Sequence, residues 1–317
     1  MGLSNMQVFD QYVMPATQEI LAQEIQKFNA ASGGAIVLTS EGFDGNYLRE
    51  SFFSSLAAAR RRVDRNASNS AVTAVDLEEL ERTSVKVAGG FGPVLYEPSQ
   101  MTWLQRPTQE GVQLAAEAFA ELLLQDQLNT AIACVVAATS NQEKLTNDVS
   151  GGANVSYGSI NGAHALFGDQ SFNLRADVMT GAMAHKLVGQ NLTNAERLFR
   201  ADGVNVVDIL GKAAIITDAP ALVDGSKDIV ISLVANAVIV NNVSDVITNV
   251  ETTNGKGRIE TTFQADYSFG VGVKGYAWDT ASGGASPTDE ALATGANWNK
   301  VTGFEKMTAG VVTIGDA

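Results

Sequence analysis

Gly270-Val271-Gly272-Val273-Lys274-Gly275 has the G-x-G-x-x-G spacing with which some folds grip a dinucleotide. That chemistry needs a strand, then the glycines, then a helix whose first N–H groups meet the pyrophosphate. Here Tyr267, Phe269, Val271 and Val273 alternate straight through the motif, and the YAWDTASGG that follows carries no helical pattern. The segment therefore reads as a glycine-rich strand whose glycines let another part of the chain come close. Gly211-Lys212 lacks the upstream glycine and the Ser or Thr of a phosphate loop, and reads as a turn. His164 and His185, with Asp169 and Asp177 nearby in sequence, match no metal-ligand spacing and read as ordinary core or surface histidines. Cys134, inside the apolar AIACVVAA, reads as a small buried hydrophobe. No G-x-S-x-G elbow occurs. These residues assemble no catalytic constellation, no cofactor site and no metal site, so the expectation is a protein that is not an enzyme.

A second feature is electrostatic. Arg60, Arg61, Arg62 and Arg65 fall within six positions of a chain that carries 21 Lys and Arg against 35 Asp and Glu, a formal net charge of −14. So acidic a chain has no large basic face for nucleic acid or an anionic membrane. Downstream, Asp76, Glu78, Glu79 and Glu81 form an opposing acidic run.

The elements that must carry these residues belong to a folded protein. At 317 residues a chain can bury about 75% of its unfolded surface. Charged residues make up only 18%, below the roughly 25% usual for soluble domains, which suits a surface partly covered by other subunits. The single cysteine forms no intrachain disulfide and suits a reducing compartment. The opening MGLSNMQVFDQYV has no basic segment followed by an apolar one, so no signal peptide is expected. The run 229–240 is too short to cross a membrane as a helix.

Residues 6–29 read as an arm followed by a helix, with Ile20, Leu21, Ile25 and Phe28 at helical spacing. A second helix is expected from Tyr47 to about Arg62. Residues 63–106 read as extended, with Pro93 and Pro98 opposing any helix; so long a loop without a core is functional or disordered in most proteins. Residues 108–139 read as one long helix without proline, apolar on a wide face. Beyond Gly151 the pattern turns α/β, with a helix near 158–168, a strand-to-helix unit at RADVMTGAMAHKLVGQN and a strand–turn–strand in VNVVDILGKAAIITDAPAL. Residues 229–279 are strand-rich, and the last segment reads as a tail laid over the body.

QKFNAASGGAIVLTSEGFDGNYLRESFF, the long extended excursion, the single long helix, DILGKAAIITDAPAL and ATGANWNKVTGFEKMTAGVV resemble major capsid proteins of tailed bacteriophages. More narrowly, they resemble a family of chains of about this length with the Hong Kong 97-like (HK97-like) fold, from near residue 20 to the C-terminus. The resemblance implies an α+β capsid fold: an N-terminal arm and helix over 1–40, a short helical segment over 41–62 and an extended E-loop over 63–106. It further implies a P-domain spine helix over 107–149, an A-domain over 150–254, P-domain strands over 255–280 and a C-terminal tail over 281–317. It implies a head protein that self-assembles into hexamers and pentamers around the phage genome, without cofactors. Its implied partners are itself, a portal protein, scaffold and decoration proteins, and packaged double-stranded DNA bound without sequence specificity; no membrane is implied. The implied location is the virion, with assembly in the bacterial host cytoplasm. Lys86 falls in the loop where the type phage of this fold crosslinks a lysine to a neighbour's asparagine, but crosslinking is not expected here. An encapsulin-like shell protein and a small soluble α/β enzyme stand as alternatives.

Within that frame the arginines gain a role. Arg60, Arg61, Arg62 and Arg65 are expected at the loop base, meeting Asp76, Glu78, Glu79 and Glu81 of the same or a neighbouring subunit and fixing the register between subunits. Exposed pairs contribute only about 0–1 kcal/mol each, so their effect would come from repetition around a shell.

Overall fold

The computed structural model describes residues 14–39, 42–53, 61–66, 68, 71, 79–96, 109–190, 198–201, 204–209, 212–242, 246–254 and 260–317. Its first half runs α1 (Met14–Ala31), β1 (Ile36–Thr39), β2 (Tyr47–Phe53), β3 (Glu79–Tyr96) and α2 (Gln109–Ser140). There follow β4 (Thr146–Asp148), α3 (Tyr157–Leu166), β5 (Leu174–Met179), α4 (Gly181–Gln190), β6 (Leu198–Ala201), β7 (Val204–Ile209) and β8 (Lys212–Ile216). The last part holds β9 (Val223–Asp224), β10 (Lys227–Val234), β11 (Val238–Asn242), β12 (Ile247–Thr253) and β13 (Glu260–Val273). It ends with β14 (Tyr276–Trp278), α5 (Asp289–Leu292), β15 (Trp298–Lys300) and β16 (Gly310–Asp316).

The 32 residues of α2 make a rod about 48 Å long. Its C-terminal half is the centre of the core: Ala131, Ile132, Cys134, Val135 and Ala138 are fully buried. The stretch Glu117–Ser140 is long and apolar enough to cross a membrane by length and composition, yet 61% of its apolar window is buried inside the fold, as befits a core helix. α1 packs along α2.

Two sheets flank this helix. The six-stranded sheet runs β1-β11-β13-β3-β2, with β12 also paired to β13. β13 buries Ala265, Tyr267, Phe269, Val271 and Val273 in strict alternation, the period of a strand with one face in the core. The eight-stranded sheet runs β4-β16-β10-β5-β8-β7-β6, with β9 on β10. Its centre, KDIVISLV of β10, is buried on both faces, because α3 and α4 cover one side through Ile160, Met183 and Leu187. Ser156 caps α3 reciprocally with Ser159, which fixes where that helix begins. Sheet membership changes between β10 and β11: β11 and β12 return to the six-stranded sheet.

Two expectations are overturned. Residues 47–53 form β2, not the start of a helix to Arg62, and 61–64 carry no regular structure. Leu48, Arg49 and Glu50 favour helix, but Tyr47, Phe52 and Phe53 favour strand and a seven-residue antiparallel ladder with β3 decides the matter. The C-terminal segment is also no tail laid over the body. β16 lies inside the eight-stranded sheet between β4 and β10, with Val311 and Val312 fully buried. Trp298 on β15 is 1% exposed and stacks edge-on against Trp278 at 4.9 Å.

The G-x-G-x-x-G segment is a strand, as its alternation predicts. A Cβ on Gly270 would lie 2.2 Å from the Phe43 ring and one on Gly272 2.3 Å from Ser84 Oγ. Gly275, at φ +83°, makes the turn into β14. Close approach and a left-handed turn account for all three glycines.

Candidate assembly surface

β3 is longer than either partner. From Val85 to Tyr96 it pairs with β13, and from Glu79 to Val85 with β2. Tyr47–Phe53 and Glu79–Val85 thus leave the sheet as a ribbon of two strands. A two-stranded ribbon is marginal in water unless something packs on it. This one carries two cross-strand ion pairs. Arg82 Nη2 lies 2.6 Å from Glu50 Oε2, directly opposite, and Arg49 Nε lies 3.1 Å from Glu81 Oε1. Opposed charges on facing strands contribute about 0.2–1 kcal/mol each. Arg82 is mostly covered, and its Nε is buried with no hydrogen-bond partner among the described residues.

The ribbon is rooted in an aromatic column. Phe91 of β3 meets Phe119 of α2 edge-on at 5.2 Å and Tyr267 of β13 at 5.4 Å. Tyr267 stacks on Phe269 at 6.2 Å and donates a 2.5 Å hydrogen bond to Asp126 Oδ2 on α2. Burial, and then the Asp126 carboxylate, hold the Tyr267 phenol well above its ordinary pKa. Gly89 leaves room for this ring, since a Cβ there would lie 2.7 Å from it.

Of the charged residues expected at the loop, Arg60, Asp76 and Glu78 lie outside the described residues. Arg61, Arg62 and Arg65 are exposed, in a segment where Asp64 accepts from the Asn66 N–H at 2.9 Å. Glu79 opens β3 opposite Phe53. Glu81 is paired, but with Arg49 of the same ribbon. Sequence reasoning missed Arg49, Glu50 and Arg82, because their signal, an RE against an ER, exists only once 47–53 is read as a strand.

Of the residues tested for chemistry, His164 and Asp177 are brought together. His185 is exposed, while His164 is buried beside Asp177 and Ser232. Asp177 and Ser232 both approach Nε2 of His164, whereas a nucleophile relay would place them on opposite ring nitrogens. No group of three metal-ligating side chains occurs among the described residues. Cys134 is wholly buried; burial, then the Asp289 carboxylate, push its thiol far up and leave it unreactive.

The family model described as Gp13-like, major capsid protein 13-like, matches residues 5–312. A comparison with curated proteins returns no match. Among solved structures, the chain is similar to one from the cyanophage Pam1 capsid asymmetric unit at 14% identity and TM-score 0.55, covering 89% of this chain and 88% of that one. It is similar to one from the acid-stable capsid of Helicobacter pylori bacteriophage KHP30 at 12% identity and TM-score 0.51, covering 89% and 87%. A chain of Mycobacterium phage Adephagia matches at 14% identity and TM-score 0.51, covering 90% of each.

Proposed function

The chain belongs to the major capsid protein 13-like family and is a phage major capsid protein of Hong Kong 97-like fold, and from this premise we propose how it builds its shell. The β2–β3 ribbon is the subunit's reaching arm, the E-loop, and it lies on the body of a neighbouring copy. The carrying observation is that Tyr47–Phe53 and Glu79–Val85 leave the sheet as two strands only. Thr83, Ser84 and Val85 at the ribbon's inner end are buried in their own subunit, whereas Arg49, Glu50, Ser51 and Glu81 further out are exposed, and a two-stranded outer end gains its packing by lying on another copy. Phe91, Phe119, Tyr267 and Asp126 fix its direction, so the reach of each arm is set by its own subunit.

In this reading α2 is the P-domain spine, with the six-stranded sheet as its P-domain face, and the eight-stranded sheet is the A-domain that meets its equivalents around hexamer and pentamer centres. Identical arms reaching head-to-tail form heterologous contacts, which close into rings when the rotation closes. The role is structural, without a catalytic step, and belongs to the virion. Portal, scaffold and decoration proteins, and DNA held without sequence readout, complete the proposed set of partners, with assembly in the host cytoplasm. Arg61, Arg62 and Arg65 face solvent near the arm and are proposed to contact a neighbour.

Electron microscopy and mass measurement of the full chain, expressed alone and with its phage's other head proteins, test this. Rings or closed shells are expected in at least one case. A monodisperse monomer or dimer in both would contradict it.

A further inference from the structure

Eight large apolar side chains are exposed among the described residues, and four of them belong to one end of the eight-stranded sheet: Leu166, Phe172, Phe304 and Met307. Leu166 ends α3, and Phe172 sits in the turn Gly168–Asn173 that leads into β5. Phe304 and Met307 belong to the turn that leads into β16. β5 and β16 lie on either side of β10 and antiparallel to it, so both strands start at the same end. Lys306 of the second turn pairs with Asp169 of the first, which ties the two together.

Phe172 is 74% exposed, on a turn that its neighbours hold in place. Phe167, just before the turn, is fully buried, and Gly168 bends the chain at φ +55°. Besides the Asp169 pair, the Ser171 carbonyl accepts from Lys212 Nζ at 3.2 Å. None of Gly168–Asn173 and none of Glu305–Met307 is buried. These contacts therefore give the turns no core of their own; they fix where an exposed aromatic ring stands. A ring held in this way loses little freedom when it is covered, and aromatic anchors dominate the energetics of interfaces. Exposed apolar side chains gathered within a polar rim mark interaction surfaces.

The rim selects the partner. Among the described residues, the charged side chains of the two turns and those bonded to them are Lys144, Lys212, Lys300 and Lys306 against Asp169 and Glu305. Four lysines thus stand against two carboxylates on a chain whose formal net charge is −14. This end is locally basic, and the excess negative charge lies elsewhere on the molecule. A second copy offers that acidic surface, and the opposite signs favour a head-to-tail approach. Nucleic acid and anionic membranes would meet the negative field of the whole chain.

We propose that this end of the sheet is a contact between copies: Phe172, with Leu166, Phe304 and Met307, is covered by an acidic face of a second copy. The contact rests on the capsid reading and is separate from the ribbon, which belongs to the other sheet.

Photo-crosslinking of the full-length chain tests this. Benzoylphenylalanine takes the place of Phe172 in a minority of chains within otherwise wild-type particles, formed by the chain alone and with its phage's other head proteins. Irradiated particles should yield covalent dimers of this chain joined at position 172. Particles without such dimers, or with position 172 joined to a different head protein, overturn the proposal. Phe172→Ser removes an exposed ring, so its unfolding midpoint should match wild type while its particle yield falls several-fold; an undiminished yield also overturns the proposal. Wild-type chains that assemble in neither preparation would instead overturn the capsid-building reading on which the contact rests.

Discussion

Tyr267 on β13 donates a 2.5 Å hydrogen bond to Asp126 on α2, joining the six-stranded sheet to the long helix at the root of the ribbon. Hydrogen bonds to charged groups contribute about 1.5–3 kcal/mol. Tyr267→Phe keeps the ring against Phe91 and Phe269 and removes only the hydroxyl. It is expected to lower unfolding stability by about 1–2 kcal/mol in denaturant titration, without changing the m-value. A neutral result would mean that water replaces the phenol at Asp126 without cost.

The ribbon's ion pairs predict a charge-exchange result. Arg82→Glu places two carboxylates face to face at the Glu50 position and should lower the yield of assembled particles several-fold. Adding Glu50→Arg restores opposite charges and should recover most of that yield. Particle counts by electron microscopy and sedimentation read the outcome; a double variant as poor as the single one would show that Arg82 acts through something other than Glu50.

Two glycines form a matched pair. A Cβ on Gly310 would lie 2.0 Å from the Ser232 carbonyl oxygen, a backbone atom between β10 and β16, whereas one on Gly152 meets nothing within 4 Å. Overpacking of this kind costs about 1–3 kcal/mol. Gly310→Ala should lower the melting temperature by several degrees, and Gly152→Ala should leave it close to wild type.

The carboxylates give a pH dependence. The Asp279 carboxyl is held below its ordinary value first by the Ser282 hydroxyl, and then by the Ala281 and Ser282 backbone N–H groups. Glu305 is lowered by a backbone hydrogen bond and then by Lys300, which lies 3.3 Å away. A group lowered in the folded state contributes stability above its unfolded pKa and loses it as pH falls through the folded one. Stability should therefore be flat above about pH 5 with respect to these groups and decline below about pH 4. Asp279→Asn should flatten part of that decline in melting curves taken across the range.

What was legible depended on how locally each element is encoded. α2 declares itself by length, by the lack of proline and by its apolar face, and β13 by an alternation that runs straight through two glycines. β2 was misread because YLRESFF mixes helix formers with aromatics and its deciding partner lies past residue 78. β16 looked like part of a tail because its sheet partners β4 and β10 are far away in the chain, and only the pairing puts Val311 and Val312 inside. The buried His164, Asp177 and Ser232 come from three separate elements, so no spacing announces them. The pairing of Glu81 with Arg49 depends on the β2–β3 register, which no local spacing gives.

In the proposed shell the ribbon of Tyr47–Phe53 and Glu79–Val85 completes its packing on another copy. An electron cryo-microscopy map of the assembled shell tests it most directly. Continuous density is expected for both strands lying against the body of an adjacent subunit, with root residues Phe91 and Tyr267 packed within their own. A ribbon folded back onto its own subunit, with no neighbour against either strand, would contradict it.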